Sequence, residues 1–174
     1  MWVFGYGSLL WNPGFEVAER RLAVLPGWHR SFCMRSIHHR GTEAAPGLVL
    51  ALDAADGAMC NGVALSPRPG SEDATLAYLR ERELISSAYL ERRLHVQLDD
   101  GRQVEAVTYV IDPQHVQYCG GLPMEEQAAI IARAIGGRGP NDEYLHNTAA
   151  HLAELGIRDA DLEWLSERVR ALTG

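Results

Sequence analysis

The sequence predicts an α+β fold: a small curved or closed β-barrel with surrounding helices. Two observations predict it. Strand-like segments separated by glycine, proline and aspartate turns fill the first two-thirds of the chain, and helical periodicity takes over in the last third. No internal repeat, low-complexity stretch or linker intervenes, so residues 1–174 are expected to form one domain.

Taken in order, Trp2 to Tyr6 is a short apolar and aromatic strand stopped by Gly7-Ser8. Arg21 to Leu25 ends at Pro26-Gly27 and Trp28 to Met34 follows, which predicts two strands across a turn. Gly47 to Leu52 and Met59 to Leu65 flank the turn-rich Asp53 to Gly57, which predicts a hairpin. Leu94, Val96 and Leu98 alternate with polar residues, Asp99 to Arg102 makes a tight turn, and Val104 to Ile111 completes a second hairpin. Ser71 is placed to cap a helix that runs to about Arg82, with acids in its first turn. Pro123 opens a helix ended by Gly136-Gly137, and Asn141 caps another ended by Gly156. Asp159 begins the last, with Leu162, Leu165, Val169 and Leu172 on one face.

Composition narrows the chemistry. All 16 basic residues are arginine, which excludes a P-loop lysine and any Schiff-base lysine. A net charge of −7 argues against non-specific nucleic-acid binding, which needs a basic footprint. No stretch is apolar for long enough to span a membrane or direct export. Cys33, Cys60 and Cys119 form no CxxC pair and read as free thiols of a reducing compartment, so a cytoplasmic location is expected.

Three segments carry candidate chemistry. In Phe4-Gly5-Tyr6-Gly7-Ser8-Leu9, two glycines follow an apolar strand. They fit either a bulge packed by aromatics or a loop whose N–H groups and Ser8 hydroxyl receive a carboxylate or oxyanion. Arg35 and Arg40, in Met34 to Thr42, are suited to bidentate carboxylate binding. His38 and His39 are adjacent, and His146 and His151 are five apart; neither spacing suits a metal, so no metal is expected. The third segment, Tyr78 to Tyr89, has alternating charges typical of a solvated helix face. Glu83 stands out because it sits where the helical pattern fades into Leu84-Ile85-Ser86; a carboxylate desolvated there would exchange protons near neutrality.

These segments together resemble the ChaC-type γ-glutamylcyclotransferases. The resemblance rests on Phe4 to Leu9 with Trp11-Asn12-Pro13-Gly14, Arg35 to Thr42 with Pro46-Gly47, and Arg82 to Tyr89. It continues through His115 to Tyr118 and Gly137 to Tyr144 and on to Leu155-Gly156-Ile157, in order over nearly the whole chain. It implies a small barrel with helices that acts on glutathione, releasing 5-oxoproline and cysteinylglycine without a cofactor. It also implies that the loop at Val3, Phe4, Gly5, Tyr6, Gly7, Ser8 and Leu9 receives the γ-glutamyl group and that Glu83 is the catalytic acid/base. Arg35 and Tyr118 are secondary candidates, for carboxylate binding and hydrogen bonding; Tyr118 is equally suited to packing before Cys119-Gly120. The Ser86-Ser87 pair departs from the glycine-containing stretch usual after that glutamate, and a lid, if there is one, is expected there.

In the implied reaction the substrate's own α-amine attacks its γ-carbonyl, so no enzyme nucleophile is required, in keeping with the missing lysine. Two readings stand beside it: a broader cyclotransferase of γ-glutamyl amino acids or γ-glutamylamines, and a non-catalytic γ-glutamyl-binding regulator. Because an acidic protein does not steer an anionic substrate, binding must come from local donors.

Overall fold

Val3–Gly5 forms β1, Val17–Ser36 forms β2 and Gly47–Pro67 forms β3 in a computed structural model that describes residues 1–84 and 87–174. Helix α1 spans Glu72–Glu83, followed by strands β4 (Tyr89–Leu98) and β5 (Gln103–Ile111). Then come α2 (Met124–Arg133), the two-residue strands β6 (Ile135–Gly136) and β7 (Gly139–Pro140), α3 (Asn141–Glu154) and α4 (Ala160–Thr173). Strands β1 to β5 close a barrel in the order β1-β3-β2-β4-β5, so the expected class, barrel plus helices, is the observed one. The chain divides into two compact units, Met1–Arg30 with Leu52–Val116 and Ser31–Ala51 with Gln117–Gly174.

In the first unit, β1 pairs antiparallel with β3 (Val3↔Leu65, Gly5↔Val63) and parallel with β5 at Val3↔Val107. The β4–β5 hairpin runs in register from Tyr89↔Ile111 to Gln97↔Gln103, with its turn where the sequence places it. Alternate residues point inward and fill the barrel: Phe4, Leu25, Leu52, Ala64, Val96, Leu98, Ala106 and Val110 are all buried. Gly62 is required by closure, since a Cβ there would lie 2.4 Å from the Gly5 carbonyl oxygen and 2.8 Å from the Phe4 ring.

Two expected turns are absent. Pro26-Gly27 and Asp53 to Gly57 lie inside the continuous strands β2 and β3. Gly27 (φ +85°) and Gly57 (φ +79°) take the left-handed conformation, which accommodates a local irregularity without ending a strand. Ser71 precedes α1 but its hydroxyl donates to the Arg68 carbonyl (2.6 Å) instead of capping the helix.

In the second unit α2, α3 and α4 pack on one another. Leu145, Thr148 and Leu152 of α3 and Leu162, Leu165 and Val169 of α4 are buried, whereas Leu172, expected on the α4 stripe, is 45% exposed near the chain end. Asp159 caps α4 as expected, its Oδ1 accepting from the Leu162 N–H (3.1 Å). Helix α2 stops at Arg133, short of the expected Gly136-Gly137, because Ile135–Gly136 pairs with Gly139–Pro140. The linking residues bond back to the histidine pair: Gly137 N–H to His38 O (2.7 Å) and Arg138 N–H to His39 O (2.8 Å).

Asn141, expected to cap α3, has another task. Its Oδ1 accepts from Leu48 N–H and its Nδ2 donates to Leu48 O, each at 2.8 Å. Fully buried, it extends the edge of β3 as a backbone peptide would. Glycines at 41, 47 and 136 let three backbone segments touch: a Cβ on Gly41 would lie 2.0 Å from Gly47 N, and one on Gly136 2.4 Å from Gly41 N. The two glycine-rich motifs of this unit are therefore architectural.

Candidate active site

The glycine loop leaves the barrel at the end of β1. Val3, Phe4 and Gly5 are buried in the sheet, and the Phe4 carbonyl accepts from the Thr108 hydroxyl (3.2 Å). Tyr6 turns inward, and its hydroxyl donates to the Tyr109 carbonyl (2.8 Å). Ser8 to Leu10 then form one 3₁₀ turn, closed by Leu10 N–H to Gly7 O (2.9 Å) and followed by Asn12 N–H to Ser8 O (2.8 Å). Gly5 makes room for it, since a Cβ there would lie 3.0 Å from Leu9 Cβ.

Arg30 fixes this loop from behind. It is 3% exposed, and its Nε donates to the Tyr6 carbonyl (2.7 Å) while its Nη2 donates to the Asn61 carbonyl on β3. A trans peptide sets its C=O and N–H on opposite sides, so pinning the Tyr6 carbonyl turns the Gly7 N–H away from Arg30. The bonds accepted by Gly7 O and Ser8 O act likewise on the N–H groups of Ser8 and Leu9. Among the described residues, none of the N–H groups of Gly7, Ser8 and Leu9 donates a hydrogen bond, although Gly7 and Leu9 are buried. Polar groups so placed are normally paired, and a row left open on a fixed backbone suits an anionic or polarised oxygen.

Glu83 ends α1. Its side chain is 18% exposed, and burial raises its pKa above the ordinary value of 4.5, opposed by the Arg82 guanidinium. The C-terminal end of a helix carries partial negative charge, which also disfavours a carboxylate there. Arg82 Nε lies 3.4 Å from Glu83 Oε1. Its other nitrogens reach the loop: Nη2 donates to Ser8 Oγ (2.8 Å), and Nη1 to the carbonyls of Asn12 (2.6 Å) and Pro13 (3.3 Å) and to Tyr78 Oη (3.3 Å). Gly14 (φ +77°) packs where a Cβ would collide with Tyr78 Oη at 1.9 Å. The Trp11 to Gly14 motif thus seats the loop on α1.

Behind Glu83 stands a second polar group. Tyr109 Oη donates to Glu91 Oε1 (3.0 Å), and Arg80 forks onto both Glu91 oxygens, each at 3.0 Å. Burial and the Glu91 bond raise the Tyr109 pKa strongly, with a smaller contribution from Glu83, so this phenol stays neutral. Ile85 and Ser86 fall outside the described residues, and the expected lid falls largely on them. Ser87 has φ +57°, a conformation glycine adopts freely, and its Oγ lies 3.3 Å from His115 Nε2.

Arg35 and Tyr118 belong to the second unit, and the loop and Glu83 to the first. They sit on neighbouring backbone, with Met34 bridged to Tyr118 and Arg35 N–H donating to Gln117 O (2.7 Å). The Arg35 guanidinium makes no hydrogen bond or ion pair among the described residues, whereas the Tyr118 ring packs over Gly120, where a Cβ would lie 2.0 Å from its Oη. Arg40, the other carboxylate candidate, is engaged with Pro140 O (3.1 Å) and the Tyr144 ring (5.7 Å). Among the described residues no cluster of three or more histidine, cysteine or acidic side chains could hold a metal ion, and no helix is long and apolar enough to cross a membrane.

Sequence reasoning passed over Arg30, Tyr78, Arg82 and Tyr109 as site residues. Arg82 was visible as part of an alternating-charge pattern and of the Arg82 to Tyr89 motif, with no role assigned, and Arg30 and Tyr109 as members of strands. The one usable signal for Arg30 was an arginine inside an apolar strand, Trp28 to Met34.

Residues 1–172 match the family model described as ChaC-like protein. The chain is 39% identical over 172 residues to the glutathione-specific γ-glutamylcyclotransferase of Escherichia coli, covering 99% of this chain and 74% of the relative. It is 35% identical to γ-glutamylcyclotransferase 2-3 of Arabidopsis thaliana, covering 98% and 88% respectively. In structure it is similar to the glutathione-specific γ-glutamyl cyclotransferase from yeast, with a TM-score of 0.88 at 25% identity, covering 98% of this chain and 96% of the yeast one.

Proposed function

The chain belongs to the ChaC-like family, and on that premise we propose that it cleaves glutathione to 5-oxoproline and cysteinylglycine, without a cofactor, by attack of the substrate's α-amine on its own γ-carbonyl. The observation that carries this reading is the joint placement of the open N–H groups of Gly7, Ser8 and Leu9 and the partly buried Glu83, linked by one arginine side chain. The names carried by the bacterial and yeast relatives support glutathione as the substrate.

The chemistry follows from these parts. The loop holds the γ-glutamyl group so that amine and carbonyl lie in contact; such positioning can supply about 7–11 kcal/mol in favourable intramolecular reactions. Glu83, its proton affinity raised by burial, takes a proton from the substrate ammonium. The freed amine attacks, the carbonyl oxygen becomes an oxyanion, and the N–H groups of Gly7 and Ser8 stabilise it. That attack closes the five-membered ring; collapse of the tetrahedral species then breaks the bond to the cysteinyl nitrogen, which takes the proton held by Glu83, and the ring nitrogen passes its surplus proton back through the freed carboxylate to the released amine. Arg35, whose guanidinium makes no hydrogen bond or ion pair among the described residues, is suited to a substrate carboxylate, and Tyr118 to a hydrogen bond.

The family match runs through both compact units, which supports treating residues 1–174 as one functional domain. Three buried cysteines, in no disulfide among the described residues, support a reducing, cytoplasmic setting. Incubation of the pure protein with glutathione tests the proposal: 5-oxoproline and cysteinylglycine should appear in equal amounts. A panel of γ-glutamyl amino acids and γ-glutamylamines separates glutathione preference from a broader activity. Tight glutathione binding with no product at any pH would make the protein a binding module and overturn the proposal.

A further inference from the structure

We propose that Arg82 is a positioning residue that holds Ser8 of the glycine loop and the Glu83 carboxylate in one frame, fixing the separation between the oxyanion donors and the acid/base. The inference rests on the cyclotransferase reading above and assigns a role to a side chain that acts through the two groups it holds, Ser8 and Glu83.

The argument is geometric. A guanidinium is a rigid planar fork, so groups bonded to its different nitrogens cannot move independently. Here the fork spans four places: Ser8 Oγ in the loop, the Asn12 and Pro13 carbonyls beyond it, Tyr78 Oη one turn back on α1, and Glu83 Oε1 beside it. Among the described residues Arg82 is the one cation within ion-pair distance of Glu83. The side chains are only 20% and 18% exposed, so water screens the pair poorly. A lysine keeps the charge but has one nitrogen and cannot serve the loop carbonyls and Glu83 together.

Arg82 also sets the proton affinity of the carboxylate it holds. Burial raises the Glu83 pKa, and the Arg82 guanidinium acts in the opposite sense. Tyr109 faces Glu83 from β5, but its hydroxyl is engaged by Glu91 of β4, itself forked by Arg80, so that group stays neutral and fixed.

Arg82→Met, Arg82→Lys, Ser8→Ala and the Arg82→Met/Ser8→Ala double variant test this in the full chain, with thermal unfolding as the check on folding. Glutathione turnover is followed across the pH range in which kcat/KM rises. For Arg82→Met we expect kcat to fall on the order of 10²-fold, as a misplacement of about 1 Å can cause. The acid limb of kcat/KM should move to higher pH, because burial then acts on Glu83 unopposed. Arg82→Lys should lose about tenfold or more in kcat while its limb stays near the wild-type position. Ser8→Ala and Arg82→Met should combine less than multiplicatively, since both release the same fork.

An unmoved limb in Arg82→Met, or effects that multiply to within about twofold, would overturn the inference while leaving the cyclotransferase reading in place. If Arg82→Met does not fold, the same decision falls to Arg82→Lys, whose kcat must drop with its limb unmoved; full activity in that variant overturns the inference. A wild-type protein that turns over no γ-glutamyl compound overturns both.

Discussion

The Arg30 Nε donates to the Tyr6 carbonyl oxygen at 2.7 Å, inside the protein and directly behind the glycine loop. The bond decides which way the next peptide faces: the carbonyl points to the arginine and the Gly7 N–H to the opposite side. Arg30→Met is therefore expected to act twice. The buried Tyr6 carbonyl loses its donor, at a cost of about 1–3 kcal/mol, whereas the carbonyl of the exposed Asn61 can turn to water, so urea unfolding should show a loss of about 1–3 kcal/mol. The surviving folded enzyme should lose on the order of 10²–10³ in kcat, as when an oxyanion donor is removed. A destabilised variant with wild-type kcat would show that the loop orientation does not depend on Arg30.

Glu83→Gln is expected to lower kcat on the order of 10²–10⁴-fold with little change in glutathione affinity. Its stability should carry a pH signature. Burial raises the Glu83 pKa in the folded state above its ordinary value of 4.5, so the folded protein binds this proton more tightly than the unfolded chain. That contribution is fully present below the unfolded pKa and lost as pH rises through the folded one. The glutamine variant lacks this dependence, so it should gain on the wild type across that window and by a constant margin above it. Urea midpoints at a series of pH values check this; a constant difference from acid to neutral pH would contradict it.

Asn141→Ala should cost about 2–5 kcal/mol, because it strips both partners from the buried Leu48 peptide groups. Asn141→Asp should not rescue it, since a carboxylate cannot donate to the Leu48 carbonyl. Chemical unfolding measures both.

Gly136→Ala and Gly57→Ala separate two reasons for a glycine. At Gly136 an added Cβ meets backbone nitrogen at 2.4 and 2.5 Å, which no rotamer relieves, and loss of cooperative unfolding is expected. At Gly57 nothing lies within 4 Å and only φ +79° is at stake, so the cost should be about 1–2 kcal/mol. Equal melting temperatures for the two variants would contradict this assignment.

These cases show what the sequence made legible. Period-two alternation and a tight turn located the Leu94 to Ile111 hairpin, first-turn acids after Ser71 located α1 and helical spacing located α4, because those signals are local. The continuous strands through Pro26-Gly27 and Asp53 to Gly57 were hidden, since turn-forming residues also serve irregularities inside long strands and only pairing partners distinguish the two. Asn141 was misread for the same reason: its position suits a cap, but a partner 93 residues away claims its amide. In the site, Glu83 and the loop could be singled out as candidates, from a carboxylate next to a fading helix and from paired glycines, and the family resemblance supplied their proposed roles. Arg30 and Arg82 could not be, because their function lies in which distant carbonyls and hydroxyls they reach.

The most direct test is a crystal structure of the Glu83→Gln variant with glutathione bound. We expect the γ-carbonyl oxygen within hydrogen-bond distance of the Gly7 and Ser8 N–H groups, and the residue-83 amide within reach of the substrate α-amine. Glutathione bound elsewhere, or an α-amine out of reach of residue 83, would contradict the assignment of loop and carboxylate to one reaction.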